Sequence, residues 1–157
     1  MQRARNGLMR LAYQVLRLKW FLLRPVTVGV RIMLIQNDEV VLLKQTYLPD
    51  WHFPGGMVDR GETMAEAAER EAAEEVGATC HTPPRLFGIF FNYTEWKSDH
   101  VGVFLCEDFT LQPSSDRWEV QSIERFPIHE LPADASRGSH RRIAEYMRGE
   151  IGLTGQW

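Results

Sequence analysis

Cysteine is scarce: the chain has two, Cys80 and Cys106, with no CxxC pair and no Cys/His cluster beside either. That argues against a disulfide framework and a structural zinc site, and the two read as reduced core or edge residues of a cytoplasmic protein. Long apolar runs are missing too, since no stretch approaches the ~20 uninterrupted apolar residues of a membrane span. Acidic residues are absent from positions 1–31, which hold Arg3, Arg5, Arg10, Arg17, Lys19, Arg24 and Arg31, while all 21 acids lie beyond. A body that acidic does not offer the basic surface that duplex nucleic acid requires. What remains, 157 residues with 44% hydrophobic content, suffices for one domain with a real core.

Residues 8 to 23 predict a helix. Arg3, Arg10, Gln14, Arg17 and Arg24 repeat along one side, and Leu8, Leu11, Val15, Leu18 and Leu22 share another. A basic amphipathic helix of this kind packs on its own domain or on a second subunit, as in a homodimer, or lies peripherally on an anionic membrane surface, with disorder or mitochondrial-type targeting as the remaining alternatives. Arg17 and Lys19 break the apolar run, and no small-residue cleavage site follows, so a secretory signal is not the reading. Residues 1–24 are therefore set apart as a basic helix from a domain over 25–157.

Pro25 ends that helix. Val26 to Ile35 alternates as a strand, and Asn37-Asp38 turns the chain into a second strand from Glu39 to Gln45. Tyr47 to Phe53 reads as a loop and short strand. Arg85 to Tyr93 and His100 to Phe109 are β-runs joined by a polar connection, Asn92 to Asp99, and Glu119 to Phe126 is another strand. Ser139 to Arg148 is a closing helix. Strands with one helix in the middle and one at the end predict a mixed sheet sandwiched by helices.

Between Gly55 and Ala78 lies the stretch that carries chemistry. Thr63 and Glu66 form an S/T-x-x-E capping box, Ala and Glu sustain a helix to Val76, and Gly77 stops it. Glu71, Glu74 and Glu75 stand at i, i+3 and i+4, within about 100° of arc on one side. Ala65, Ala68, Ala72 and Val76 make a small apolar stripe able to lie close against a sheet, with Glu66, Glu69 and Ala73 turned to water. Crowded like charges repel, and a divalent cation removes the conflict; hard oxygen ligands suit Mg²⁺ or Mn²⁺. The bland alternative is a solvated acidic face.

From Gly56 the residues run G-x5-E-x7-R-E-A-x-E-E-x-G-A, with Gly56, Glu62, Arg70, Glu71, Glu74, Glu75 and Gly77 in place. This resembles the Nudix box of the Nudix (MutT-like) hydrolases, and seven fixed residues at fixed spacing rarely coincide by chance. Only Ala72 and Ala78 depart, where a larger aliphatic is more usual. The resemblance implies an α/β/α sandwich over residues 26 to 149. It also implies hydrolysis of a nucleoside diphosphate linked to some moiety X, by water attack on phosphorus. It makes Glu71, Glu74 and Glu75 metal ligands together with the main-chain carbonyl of Gly55, and leaves open whether Glu71 serves as ligand or base. Arg70 is expected to pair with Glu62 or another box carboxylate. A further carboxylate from outside the box is implied, with Glu119 the leading candidate and Glu95 and Asp99 behind it.

Residues outside the box select the substrate. Arg31, Lys44, His52, Lys97 and His100 are candidates for phosphate contacts, and Tyr47, Trp51, Phe53, Phe91 and Tyr93 for base stacking. Tyr93 lies near the distance at which relatives hydrolysing dinucleoside polyphosphates carry a tyrosine, whereas Pro83 and Pro84 come too early for the ADP-ribose pattern. Two other classes stay open: a catalytically silent Nudix-fold module that binds nucleotide without cleaving it, and a membrane-associated scaffold using the basic helix.

Overall fold

The computed structural model describes residues 13–16, 18–19, 21–23, 25–94, 96–113 and 119–157. Ten elements follow the N-terminal helical residues: β1 (Val26–Gln36), β2 (Glu39–Gln45), α1 (Met64–Val76), β3 (Ala78–Cys80), β4 (Arg85–Thr94), β5 (Lys97–Cys106), β6 (Phe109–Leu111), β7 (Val120–Pro127), α2 (Arg137–Met147) and β8 (Leu153–Gln156). Six strands form one sheet in the order β7-β2-β1-β5-β4-β8, and β3 pairs with β6 separately. β1 runs parallel to β5 and β4 parallel to β8, with the other neighbours antiparallel, so the sheet is mixed.

Alternation along each strand divides the core between the two faces. Val30, Ile32 and Leu34 of β1 pack with Ala67, Ala68, Ala72 and Val76 of α1 on one side. Met33 and Ile35 pack with Phe87, Phe90, Val103 and Ile143 of α2 on the other. The three-layer α/β/α arrangement expected from the element order is thus present. Alanines at the α1 contact let that helix sit close to the sheet, while Glu66, Glu69 and Ala73 face water as their spacing predicts.

One expectation needs correction. Most of the polar connection expected over Asn92 to Asp99 is strand: after a register shift between Leu86 and Gly88, β4 and β5 pair from Gly88↔Val103 through Asn92↔Asp99 to Thr94↔Lys97. Its polar residues Asn92, Lys97 and Asp99 line a polar cleft, which gives these strand ends the composition of a loop. The strands β3, β6 and β8, of three or four residues each, also have too short a pattern to be read beforehand.

The sheet is split where the site forms. Asn37 and Asp38 both have positive φ, 56° and 59°, as a two-residue hairpin turn requires. β1 and β2 nevertheless pair only beside that turn, at Ile35↔Val40 and Gln36↔Glu39. Beyond it they part, and the segment leading into α1 fills the gap. His52 exchanges both main-chain hydrogen bonds with Leu43 of β2 at 2.9 Å. Two residues on, the carbonyls of Pro54 and Gly56 accept from Ile32 and Val30 of β1, each at 2.9 Å. The glycine turn is therefore wedged between two central strands. Among the described residues no helix is long and apolar enough to cross a membrane.

Candidate active site

Helix α1 is fixed at both ends by its own sequence. Thr63 Oγ1 accepts from Glu66 N at 3.2 Å and Glu66 Oε2 accepts from Thr63 N at 2.8 Å, closing the expected capping box. Gly77 ends the helix in the left-handed conformation, φ 67°, its N–H bonded to Ala73 O at 3.1 Å. Arg70 ties helix to loop. It makes two bonds to Glu62 (Nε to Oε1 2.8 Å, Nη2 to Oε2 3.0 Å) and donates to Met57 O at 3.1 Å. Its Nη1 also reaches Glu71 Oε1 at 2.8 Å and Glu74 Oε2 at 3.3 Å.

The three glutamates do not play equal parts. Glu75 is buried, 5% exposed, and it holds the wedge: Gly55 N donates to its Oε2 at 2.8 Å and Gln45 Nε2 to its Oε1 at 3.1 Å. Burial pushes its pKa up to about 7, against the pull of Arg31 and of those two donors; the Glu71 charge pushes the same way. Glu71 is also raised, chiefly by burial, although Arg70 opposes the shift. Both line a cleft of about 400 Å³. Glu74 is more than half exposed, bonded to Arg70, and does not line that cleft.

Gly55 and Gly56 let the loop lie against these carboxylates. A methyl group on Gly56 would stand 2.8 Å from the carboxyl carbon of Glu71. Gly55 O accepts from Arg31 Nη1 at 3.0 Å, as does Phe53 O, so Arg31 faces the cleft from β1 and braces the turn. Glu119, just ahead of β7, lines the same cleft, and its carboxylate accepts from the phenol of Tyr47. Burial, and then that bond, push the Tyr47 phenol far above its ordinary range, so it stays a donor.

Asn92 of β4, Lys97 and Asp99 of β5 and Trp157 also line the cleft, while the Trp157 ring packs against Phe90 and Arg142. Asp99 accepts from Thr27 Oγ1 at 2.7 Å and pairs with Lys97 at 3.3 Å. Of the other sequence candidates, Lys44 pairs with Asp134 at 2.5 Å, away from the cleft. Trp51, His52 and Phe53 are buried in the core, and His52 is held neutral by burial and the neighbouring Arg31, its pKa down to about 3. Phe91 and His100 contact each other at 5.6 Å between ring centroids on strands β4 and β5, and neither they nor Tyr93 reach the cleft. Glu95 lies outside the described residues. Gln45, Asn92, Trp157, Tyr13 and Leu16 join the cleft without any local signal that would have singled them out.

The donor set fits a hard divalent cation. Two carboxylates are packed into one cleft at the expense of solvation and mutual repulsion, conditions that a bound cation relieves. Among the described residues, no three acidic, imidazole or thiol side chains are already gathered into a coordination shell. Glu71 and Glu75 are the carboxylates that line the cleft together with Gly55, whose carbonyl is bonded to Arg31, and Glu74 stands on the exposed face of α1.

A family model described as the NUDIX domain matches residues 24–147. The chain is 33% identical over 88 residues to the oxidized purine nucleoside triphosphate hydrolase of Danio rerio, covering 54% of this chain and 56% of that protein. It is 34% identical over 68 residues to a human 8-oxo-dGDP phosphatase, covering 41% and 21%. The chain thus spans between 21% and 56% of the lengths of the curated relatives it matches. Among solved structures, the MutT NUDIX hydrolase of Burkholderia pseudomallei superposes with a TM-score of 0.68 at 21% identity, covering 76% of this chain and 96% of that one. A MutT protein of Bacillus halodurans gives 0.66 at 23%, covering 82% and 87%. Both share the fold.

Proposed function

The chain belongs to the NUDIX domain family, and on that premise we propose that it hydrolyses a nucleoside diphosphate joined to a further group X, with Mg²⁺ or Mn²⁺ as cofactor. Water adds to one phosphorus as the bridging P–O bond breaks, and its proton passes to a carboxylate of the cleft. The observation that carries this reading is the pairing of Glu71 and Glu75, two carboxylates raised by burial, behind the Gly55-Gly56 turn in one cleft.

Glu71, Glu75 and the Gly55 carbonyl, with Glu74 at the edge, would hold the cation. When bound, it supplies neutralisation of the phosphate charge and a more acidic water. The chain does the rest. Arg70 keeps Glu71 and the loop in register, so the carboxylates need little rearrangement during reaction. Arg31 and Lys97 contribute positive charge to the cleft walls, and Glu119, which comes from outside the box helix, is the carboxylate suited to take the water's proton. Asn92 and Asp99, which line the same cleft, offer amide and carboxylate groups to a base edge. The names of the curated relatives make oxidised purine nucleotides the first substrates to try.

The test is a panel of 8-oxo-dGTP, 8-oxo-dGDP, ordinary dNTPs, ADP-ribose, dinucleoside polyphosphates and nucleotide sugars, run in ¹⁸O-water to locate the phosphorus attacked. Release of a nucleoside monophosphate that EDTA abolishes is the expected result. Glu75→Gln should lower turnover by about two orders of magnitude or more with unchanged circular dichroism. Tight retention of a nucleotide with no hydrolysis anywhere on the panel would instead mark a silent binding module.

A further inference from the structure

Glu119 does not sit on the rigid box helix. It precedes β7, is half-buried, and carries a side chain with several rotatable bonds. Such a carboxylate works at a reacting centre only if something selects one of its orientations. Among the described residues, two contacts contribute to this. The main-chain carbonyl of Glu119 accepts from Thr46 N at 2.9 Å, which sets its backbone beside the end of β2. The next residue, Tyr47, then directs its phenol onto Glu119 Oε1.

Tyr47 is itself held from outside the sheet. Its ring stacks on that of Tyr13, with centroids 5.0 Å apart and planes inclined by 27°. Tyr13 and Leu16, from the N-terminal helical residues, line the same cleft as Glu71, Glu75 and Glu119. A stacked pair restricts both rings, and the neutral phenol remains a donor across working pH because it is buried against an acid.

We propose that Tyr47 is a positioning residue that orients Glu119 toward the catalytic cleft, and that Tyr13 of the N-terminal segment holds Tyr47 in place. Tyr13 and Leu16 then furnish part of the wall of the reaction site. The proposal rests on Glu119 acting in the hydrolysis described above, and the experiment separates the two.

Steady-state kinetics of the full chain are compared for Tyr47→Phe, Tyr13→Ala, Tyr13→Phe, Glu119→Gln and the double variant Tyr47→Phe/Glu119→Gln, with Glu75→Gln as the reference for the box and thermal midpoints as the check on folding. Tyr47→Phe keeps the ring but loses the bond, and should lower kcat by about tenfold to a hundredfold with KM within about twofold. Tyr13→Ala should do the same more weakly, and Tyr13→Phe, which preserves the stack, should restore the rate. In the Glu119→Gln background Tyr47→Phe should cost nothing further, since both act through one group. A Tyr47→Phe chain with unchanged kcat, or a double variant slower than Glu119→Gln by the full factor of Tyr47→Phe, overturns the proposal. Should Glu119→Gln retain the full rate while Glu75→Gln is inactive, the role of Glu119 fails and this proposal with it, leaving the box reading standing.

Discussion

Gly55 and Gly56 are adjacent, yet a methyl group on each meets a different obstacle. At Gly55, φ is +148° and the added carbon would press on the backbone of β1, 2.8 Å from Arg31 Cα. Backbone cannot step aside, so Gly55→Ala should destabilise the fold by about 2 kcal/mol or more, read from urea unfolding. At Gly56 the obstacle is the movable end of the Glu71 side chain. Gly56→Ala should therefore spare most of the stability while lowering kcat/KM by about a hundredfold through a displaced carboxylate. The opposite pattern, with Gly56→Ala unfolding and active residual protein, would remove Glu71 from the site.

His52 argues a second case at this scale. Its buried, neutral ring has a folded pKa near 3 against an ordinary 6.5. Depression of a base means that the unfolded chain binds the extra proton first. The stability His52 confers is complete above pH 6.5 and is lost as pH falls toward about 3, by up to about 1.4 kcal/mol per pH unit. Replacing His52 by Phe or Gln should flatten the acid limb of the unfolding midpoint between pH 6 and 4. An unchanged limb would mean that other groups control acid unfolding.

At the scale of the element, helix α1 is held by two end signals of different strength. Thr63→Ala removes one half of a capping box on an exposed turn and should cost about 1 kcal/mol. Gly77→Ala forces a side chain into φ +67°, 2.8 Å from the carbonyl carbon of Gln112, and should cost about 2 kcal/mol or more. Chemical denaturation orders the two, and a reversed order would mean that the helix end yields more easily than its contacts suggest. Both signals are legible in the chain because they act between residues a few positions apart. So are the Asn37-Asp38 turn, the alanine stripe of α1 and the Arg70–Glu62 pairing. What was not legible depends on partners distant in sequence. Asn92 and Asp99 look like loop residues because strand alternation is usually read against an oily interior, and theirs faces a polar cleft. For the same reason nothing local distinguishes Glu75, buried under the wedge, from Glu74, exposed one residue before it.

For the molecule as a whole, the split between β1 and β2 couples the site to global stability. The wedge is hydrogen-bonded to both strands and to Glu75, and Glu75 belongs to the helix that covers one core. A cation bound by Glu71 and Glu75 binds the folded chain alone, because unfolding separates the loop from the helix. Such a ligand at about a hundred times its Kd stabilises by about 2.7 kcal/mol, which for a domain of this size raises the midpoint by roughly 5 to 10 °C. The sign differs for Glu75→Gln. Near pH 8 the unaltered side chain is largely ionised in a buried place, since its pKa is about 7, and that costs stability until a cation arrives. The amide sheds the charge, keeps an oxygen for Gly55 N and can donate to Gln45 once that side-chain amide turns over, so the metal-free variant should melt at or above the unaltered chain and respond weakly to Mg²⁺. Differential scanning fluorimetry with EDTA, then with increasing Mg²⁺ or Mn²⁺, reads both effects without any substrate. Equal upward shifts in the two chains would place the cation elsewhere, and no shift in the unaltered chain at millimolar metal would mean that the cation does not bind without substrate.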